Sequence, residues 1–284
     1  MTTRTLIQAE ELASLLGEAR LRILDCRFDL ARPAYGRTAY LDEHLPGALF
    51  ADLNTDLARP VTATSGRHPL PSTDEFEARL RAWGVNADSR VVAYDDNNGA
   101  YAARLWWMLR WVGHDDVAVL DGGMRRWLQL GLPLTDDVPV PAPGNFLARP
   151  RPAMAVSADD VLAASADPAS RILDARAPER YRGEVEPIDK VAGHIPGARN
   201  HPFGMSLDSQ GRFLAPDALR DSLRASLDGV GAEHAIVYCG SGVTACHLLL
   251  ALEHAGLGGT RLYPGSWSQW SSDPARPVHT GAAP

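Results

Sequence analysis

The chain has 284 residues, of which 45% are hydrophobic and 22% charged, and its formal net charge is −7. This length and composition predict a globular protein of two domains, and the acidic balance excludes a sequence-independent grip on nucleic acid, which needs a cationic face. Because neither a run of about 18 apolar residues nor an apolar signal region is present, we expect no membrane span and a cytoplasmic location.

Short β-rich runs alternate with helical stretches along both halves of the chain. Strands that alternate with helices indicate an α/β fold with a mostly parallel sheet and helices on both faces. Helix starts are expected at Ser72 and Ala215, and a helix end at Gly256. In chain order these runs are RILD (22–25), TDEFEARLRAWG (73–84), RVVAY (90–94), YAARLWWMLRWVG (101–113), VAVL (117–120), RILD (171–174), PDALRDSLRASL (216–227), AIVY (235–238), TACHLLLALEHAG (244–256) and TRLY (260–263).

The chain consists of two copies of one unit. Four short patterns of the first half recur in the second half, in the same order and at a nearly constant spacing. Such internal repetition indicates a tandem duplication of one domain type. The paired patterns are ILDCR (23–27) with ILDAR (172–176), HLPGA (44–48) with HIPGA (194–198), VAYD (92–95) with IVYC (236–239), and DGGMRRW (121–127) with PGSWSQW (264–270).

A proline-rich segment separates the two copies. Five prolines lie between Thr135 and Met154, and segments of this composition favour extended, semi-rigid spacers. We therefore expect a first domain over residues 1–135, a linker over 136–153 and a second domain over 154–284.

Cys239 is the candidate nucleophile. It follows the strand AIVY and precedes a helix, and the carboxyl end of a strand is where ligands bind in a parallel α/β sheet. A helix N-terminus and a glycine-rich loop offer backbone N–H groups that stabilise a thiolate, the reactive form of cysteine, or a persulfide anion. The loop residues expected to form this anion nest are Gly240, Ser241, Gly242, Val243 and Thr244.

A catalytic Cys239 has two alternatives: it could be structural, or another position of the chain could act in its place. A cysteine at a strand end can also be a small buried side chain, although the two glycines after Cys239 favour the catalytic interpretation. Cys26 and Cys246 fall in a strand-like run and an apolar helix, so we expect both to be structural. The position that matches Cys239 in the first copy is Asp95, and a carboxylate cannot carry sulfur, so we expect one active site per chain. The cysteines lack metal-finger spacing, and neither a metal nor an organic cofactor is expected.

Several patterns together carry a family resemblance. These patterns are CGSGVTA (239–245), HLPGALFADL (44–53), GRHPLP (66–71), LDGGMRRW (120–127), ERYRG (179–183), GHIPGA (193–198) and GSWSQW (265–270). In these patterns the chain resembles the tandem-rhodanese sulfurtransferases over nearly its whole length. The resemblance implies two tandem rhodanese-like domains, each a mostly parallel sheet flanked by helices, of which only the second is catalytic.

The resemblance also implies the chemistry. Cys239 would take sulfur from a small anionic donor, become a persulfide, and pass the sulfur to a thiol, to cyanide or to a thioredoxin-like protein. The sequence CGSGV is typical of members that use 3-mercaptopyruvate. Ser241 would then bind the donor carbonyl or help a proton transfer, Arg180 would bind the anionic end of the donor, and His44 would act as acid or base. A capping role in the HLPG turn is the alternative for His44.

Two departures from the family pattern concern the donor. Ile188 stands about where mercaptopyruvate enzymes have a second arginine, and Lys190 could replace that residue only as a point charge. Pro264 stands where many members have an aspartate before GSW. Thiosulfate is therefore the alternative donor.

Three other functions are alternatives to turnover of a free sulfur donor. The stretch GSGVTA (240–245) fits the dinucleotide-binding pattern G-x-G-x-x-A, but no acidic residue closes the strand that follows. A cysteine phosphatase needs an arginine six residues after the nucleophile, where Ala245 stands. A persulfide carrier dedicated to one protein partner remains open beside turnover of a free donor.

Overall fold

The computed structural model describes residues 5–284, which form two compact units. The division between the units falls at Arg151–Pro152, inside the segment expected to be the linker. Two short segments are grouped with the unit that is not their neighbour in sequence. The first unit comprises the chain up to Arg59, Leu70–Arg151 and Gln210–Arg212, and the second comprises Pro60–Pro69, Pro152–Ser209 and Phe213–Pro284.

The first unit is built on a five-stranded, wholly parallel sheet. Its strands lie in the order β1-β5-β4-β2-β3, so every connection crosses over through a helix or loop. Its elements are β1 (Leu6–Ile7), α1 (Ala9–Leu15), β2 (Leu21–Asp25), α2 (Tyr35–Asp42), β3 (Ala48–Phe50), α3 (Thr73–Ala82), β4 (Arg90–Tyr94), α4 (Ala102–Trp111), β5 (Val117–Leu120) and α5 (Gly123–Gln129).

The second unit repeats this plan with a four-stranded parallel sheet in the order β7-β6-β8-β9. Three short 3₁₀ turns accompany its helices, over Pro152–Met154, Phe203–Ser206 and Ala232–His234. Its other elements are α6 (Ala158–Ser165), β6 (Arg171–Asp174), α7 (Pro178–Tyr181), β7 (Ala198–Asn200), α8 (Pro216–Leu227), β8 (Ala235–Tyr238), α9 (Thr244–His254), β9 (Arg261–Leu262) and α10 (Ser266–Trp270). The predicted α/β class with parallel sheets is confirmed in both units.

The local start and stop signals act as expected. Ser72 caps α3 through a capping box with Glu75, in which each side chain satisfies a backbone N–H group that the first turn leaves unpaired. Pro216 opens α8, where the missing N–H of proline costs no hydrogen bond. Gly256 follows the last turn of α9 with φ +75°, a left-handed conformation that favours glycine.

The repeated ILDxR and HxPG patterns are structural. In the second unit the Arg176 guanidinium donates to both carboxylate oxygens of Asp174, and its Nη2 also donates to the carbonyl of Gly193 at 2.7 Å. In the first unit Arg27 makes the same contacts with Asp25 and with the carbonyl of Glu43. The buried arginine therefore ties the end of a strand to the turn that precedes the next one.

The aromatic residues after the glycine turn fill the core of each unit. Trp127 and Trp270 are fully buried, and their indole N–H groups donate to the carbonyls of Pro133 and Pro277, respectively. A buried indole needs such a partner. The pattern is therefore a packing and hydrogen-bonding unit that both copies retain.

The proline-rich segment 136–151 is extended and follows the surface of the first unit. Its backbone N–H groups donate to the carbonyls of helix-end residues, with Gly144 bonded to Arg81 and Arg149 bonded to Val112. Within residues 5–284, no helix combines the length and the apolar character that a transmembrane span requires.

Candidate active site

Cys239 directly follows β8 and opens a loop, residues 239–243, that leads into α9; we call it the Cys239 loop. The backbone N–H of Gly242 donates to Sγ of Cys239 at 3.2 Å. The carbonyls of Cys239 and Gly240 accept from two N–H groups of α10. Because a trans peptide holds its N–H opposite its C=O, the N–H groups of Gly240 and Ser241 point away from α10. The loop therefore has the backbone arrangement of an anion nest.

Gly242 is required by geometry. Its φ is +76°, and a Cβ atom at this position would lie 2.5 Å from the carbonyl oxygen of Pro264. Any other residue would be strained by the left-handed backbone and would also collide with a main-chain atom. Val243 is buried behind the loop, and Thr244 is the first residue of α9. The glycine thus places its own N–H against the sulfur.

The Cys239 side chain is only 2% exposed. Burial of this kind is also expected of a structural cysteine, but an apolar packing site would not present a backbone donor to the sulfur. An N–H···S hydrogen bond stabilises the anionic form of the sulfur more than the thiol. The observed contact from Gly242 therefore favours the nucleophile interpretation of Cys239.

Ser266 holds the start of the loop from α10. Its hydroxyl accepts a hydrogen bond from the N–H of Cys239 at 3.1 Å and donates to the carbonyl of Tyr263 at 2.9 Å. Its φ is +52°, an uncommon conformation for a residue with a side chain. The matching residue of the first unit is Gly123, which also has φ +52°. Ser266 therefore adopts a strained backbone conformation, and its hydroxyl is the hydrogen-bond acceptor for the Cys239 N–H.

Ser241 pairs with a histidine that the sequence reasoning did not single out. Nδ1 of His68 lies 2.8 Å from Oγ of Ser241, a hydrogen bond between two buried side chains. His68 belongs to the segment Pro60–Pro69, which is grouped with the second unit. The signal was present in the pattern GRHPLP, but the pattern does not indicate which residue the imidazole contacts.

Arg180 lies on α7 in a network of acidic residues. Its guanidinium donates to Glu186 at 2.6 Å and to Asp189 at 3.2 Å. Burial alone would raise the pKa of Glu186, but hydrogen bonds from Arg180 and from two backbone N–H groups outweigh it and lower the pKa of Glu186. Arg67 also binds Asp189, at 2.8 Å. Glu186 therefore remains an anionic partner of Arg180, and Asp189 is the residue that contacts both Arg180 and Arg67.

His44 lies in the HLPG turn of the first unit. It is fully buried, its Nδ1 lies 2.6 Å from the carbonyl of Tyr40, and its Nε2 lies 3.1 Å from the carbonyl of Asp137. His194 of the second unit makes the same kind of contact with the carbonyl of Tyr181 and stacks on that ring in the same way. We therefore assign His44 to the structure of the turn, in place of the acid–base role expected from the resemblance.

Cys26 and Cys246 are both fully buried free thiols. Burial raises the pKa of Cys26, and the charges of Asp95 and Asp25 raise it further. The thiol of Cys246 donates to the carbonyl of Gly242 at 3.3 Å. The burial of both side chains fits the structural role expected for these two cysteines.

In the first unit, Asp95 occupies the position of Cys239. Its carbonyl accepts from Met124, just as the carbonyl of Cys239 accepts from α10. Its buried carboxylate accepts four backbone N–H groups, at 2.7–2.8 Å, from Asn97, Gly99, Tyr101 and Ala102. Burial raises the pKa of Asp95, and these four donors oppose the rise by stabilising its anion. The first unit therefore keeps the nest but fills it with its own side chain.

A metal site is not indicated. Within residues 5–284, no group of three histidine, cysteine or acidic side chains lies close enough together to bind a metal ion.

The comparisons with known proteins agree with this geometry. The family model "Rhodanese-like domain" matches residues 8–130 and 157–273. The chain belongs to the rhodanese family. The probable 3-mercaptopyruvate sulfurtransferase of Pseudomonas aeruginosa is 50% identical over 283 residues, which cover 99% of this chain and 100% of that protein. The putative thiosulfate sulfurtransferase SseB of Mycobacterium tuberculosis is 43% identical over 293 residues, covering 99% of this chain and 98% of that protein.

A solved rhodanese structure has the same fold. The crystal structure of the Escherichia coli protein described as a 3-mercaptopyruvate sulfotransferase superposes with a TM-score of 0.81 at 34% identity. The match covers 94% of this chain and 100% of that one. The predictions of a tandem rhodanese family member and of two rhodanese-like α/β domains are thus confirmed.

Proposed function

We propose that this rhodanese is a sulfurtransferase that takes sulfur from 3-mercaptopyruvate and carries it as a persulfide on Cys239. The observation that carries the proposal is the Gly242 N–H donated to Sγ of Cys239 at 3.2 Å. The likeness to the P. aeruginosa sulfurtransferase supports the same donor. A nest that stabilises a thiolate also stabilises the terminal sulfur of a persulfide, which is an anion on the same side chain.

The first half-reaction transfers one sulfur atom. The Cys239 thiolate attacks the sulfur of the donor, an S–S bond forms, and the C–S bond of the donor breaks with its electron pair left on carbon. The resulting enolate takes the proton of the donor thiol and leaves as pyruvate. In the second half-reaction an acceptor thiolate attacks the outer sulfur, and Cys239 leaves as the thiolate. The covalent intermediate divides one difficult transfer into two easier ones.

Ser241 and His68 are the residues we propose for the proton transfer. They are joined by a hydrogen bond of 2.8 Å, and Ser241 lies two residues after Cys239 on the same loop. A histidine is suited to accept and return a proton near neutral pH. In this proposal the donor thiol gives its proton to the Ser241–His68 pair, which returns it to the enolate carbon. Arg180 binds the anionic end of the donor.

Thiosulfate is the second candidate donor. The likeness to the M. tuberculosis protein named as a putative thiosulfate sulfurtransferase favours it. Ile188, which leaves α7 and its following loop with one arginine fewer than the mercaptopyruvate pattern, also favours it. With this donor the S–S bond of thiosulfate breaks, and sulfite leaves with the electron pair while Cys239 keeps the sulfur.

For the acceptor we propose a small thiol, cyanide or a thioredoxin-like protein. The three cysteines are free thiols, so we also propose a reducing compartment, the cytoplasm. Delivery of the persulfide to one protein partner is distinguished from turnover of a free donor by comparing transfer to small acceptors with transfer to the proteins of a cell extract.

Intact-protein mass spectrometry after exposure to each donor tests the proposal. We expect 3-mercaptopyruvate to add the mass of one sulfur atom, and cyanide to remove it. Cys239→Ser should abolish the mass gain, whereas the matched controls Cys26→Ser and Cys246→Ser should retain it. A mass gain in Cys239→Ser would refute the mechanism, and a gain with thiosulfate alone would select the second donor.

A further inference from the structure

Two guanidinium groups, not one, lie beside the Cys239 loop. A Cβ atom built on Gly240 would be 3.2 Å from Nη2 of Arg67 and 3.4 Å from Nη1 of Arg180. Gly240 directly follows Cys239, so both cations border the backbone of the proposed nucleophile. The absence of a side chain at Gly240 is what leaves room for them.

Arg67 retains more hydrogen-bonding capacity than Arg180. The Arg180 guanidinium is shared between Glu186 and Asp189. Among the described residues, Arg67 has only Asp189 as an ion-pair partner, with Nη1 at 2.8 Å and Nη2 at 3.5 Å from the carboxylate oxygens. Nε of Arg67 is buried and has no hydrogen-bond partner among the described residues. A buried, unpaired guanidinium donor is costly unless a ligand pairs with it.

The backbone around Arg67 is fixed to the second unit. Its N–H donates to Oγ of Ser268 at 3.0 Å. The preceding Gly66 approaches Gly265 so closely that a Cβ atom on it would lie 2.4 Å from the Gly265 carbonyl oxygen. The carbonyl of Thr64 accepts from the side chain of Gln269. Because the main chain of the segment Pro60–Pro69 is held by these contacts, the position of the Arg67 backbone does not depend on the ion pair of its side chain.

The stretch where mercaptopyruvate enzymes have a second arginine carries no guanidinium group in this chain. Ile188 is apolar and 43% exposed, and Lys190 is also exposed to solvent. Arg67 is 22% exposed and lies at the loop itself. A guanidinium also offers two parallel donors to a carboxylate, which an ammonium group cannot do.

We propose that Arg67 is a donor-binding residue, and that it holds the carboxylate of a small mercapto-acid donor together with Arg180. Asp189 joins the two guanidinium groups in the free protein and keeps them oriented, and the carboxylate of the donor pairs with Nε and with the second N–H of Nη2, the Arg67 donors that Asp189 does not use. The inference rests on the proposed function, because the bound anion is the sulfur donor. It assigns the second positive charge of the site to a segment far from α7 in sequence.

The first test needs no sulfur transfer. The Cys239 peptide is followed by mass spectrometry while the protein reacts with iodoacetate, which carries a carboxylate, or with neutral iodoacetamide. We expect Arg67→Gln to lower the iodoacetate rate relative to the iodoacetamide rate by about tenfold, because a charge-assisted hydrogen bond to the reagent is lost. The matched control is Arg182→Gln, which removes an arginine that bonds to Glu184 at the surface, and it should leave the ratio unchanged. An unchanged ratio in Arg67→Gln overturns the inference.

The second test uses steady-state kinetics with 3-mercaptopyruvate. Arg67→Gln should raise KM about tenfold or more with a much smaller change in kcat, and Arg67→Lys should lie between that variant and wild type. Asp189→Asn tests whether Arg67 binds the donor or only forms a structural ion pair. This variant removes the charge of the partner but keeps the Arg67 guanidinium, so it should raise KM less than Arg67→Gln does. Equal increases in KM in Arg67→Gln and Asp189→Asn would overturn the inference.

The two tests also separate this inference from the proposed function. If wild type turns over no donor but the alkylation ratio still falls in Arg67→Gln, the proposed function fails and the anion site stands. If wild type turns over 3-mercaptopyruvate and neither the ratio nor KM responds to Arg67→Gln, the proposed function stands and the role of Arg67 is refuted.

Discussion

Replacing Gly242 with alanine tests whether the backbone of the Cys239 loop is what activates the sulfur. An L-residue in the left-handed conformation costs about 1–2 kcal/mol. The added Cβ would also lie 2.5 Å from the carbonyl oxygen of Pro264, and relief of such overpacking typically costs about 1–3 kcal/mol. We therefore expect Gly242→Ala to lower the free energy of unfolding of the second unit by about 2–5 kcal/mol, the sum of these two costs.

The functional effect follows from the same displacement. We expect the shift that relieves the contact with Pro264 to disturb the hydrogen bond from the Gly242 N–H to Sγ of Cys239, because the N–H and the added Cβ are both attached to the backbone of residue 242. The anionic form of the sulfur is then less stabilised. We expect slower alkylation of Cys239 by iodoacetamide and a lower kcat, even in protein that is still folded at low temperature.

Urea unfolding, followed by circular dichroism, measures the first effect, and the alkylation rate measures the second. The matched control is Gly204→Ala, at a site where the φ angle is not in the left-handed range and where, apart from the adjoining chain, no atom of the described residues lies within 4 Å of the added Cβ. It should unfold at the wild-type urea concentration or slightly above it. If Gly242→Ala unfolds with the same midpoint as Gly204→Ala and alkylates at the wild-type rate, the argument from loop geometry is refuted.

Three other predictions follow from the described contacts. Ser241→Ala removes the partner of His68 and should lower kcat about 100-fold with little change in the KM for 3-mercaptopyruvate; a wild-type kcat would exclude the proton transfer proposed for this pair. Burial lowers the pKa of His201 from 6.5 to about 4. As the pH falls, the imidazole is protonated first in the unfolded chain, so the free energy of unfolding decreases. Between pH 6.5 and pH 4, wild type should therefore lose about 3 kcal/mol more of its free energy of unfolding than His201→Asn does, and parallel pH profiles in urea unfolding would contradict this. Asp95→Asn replaces one acceptor oxygen by an NH₂ group that faces two backbone donors, and should lower the free energy of unfolding by about 3 kcal/mol or more; a smaller loss, measured by urea unfolding, would mean that the four donors are not what holds this carboxylate.

Much of the fold was predictable because its signals are local. The helix expected over 216–227 is observed with the same bounds as α8, since proline at its start and a periodic set of leucines are read within a few residues. The strand, glycine loop and helix around Cys239 were likewise predicted from consecutive residues. The repeat identified Asp95 as the position that matches Cys239, and therefore predicted a single reactive thiol.

Contacts between distant residues were decided by the tertiary structure. Ser241 and His68 are 173 residues apart in sequence, and Arg67 and Asp189 are 122 apart. A pattern such as GRHPLP identifies a segment that the family shares. It does not indicate which loop the side chains of that segment contact, because this depends on the path of the whole chain. The family resemblance suggested His44 for the site, and the pattern GRHPLP did not indicate that His68 contacts Ser241.

The amino-acid sequence by itself determined the duplicated α/β architecture and the family, and it pointed to Cys239 as the candidate nucleophile, because these depend on periodicity and on short glycine-containing stretches. Only the tertiary structure decided which charged and acid–base groups surround that cysteine. The segment Pro60–Pro69 leaves the unit of its sequence neighbours and is grouped with the second unit. That path depends on the packing free energy of the whole chain, which no local stretch of sequence contains.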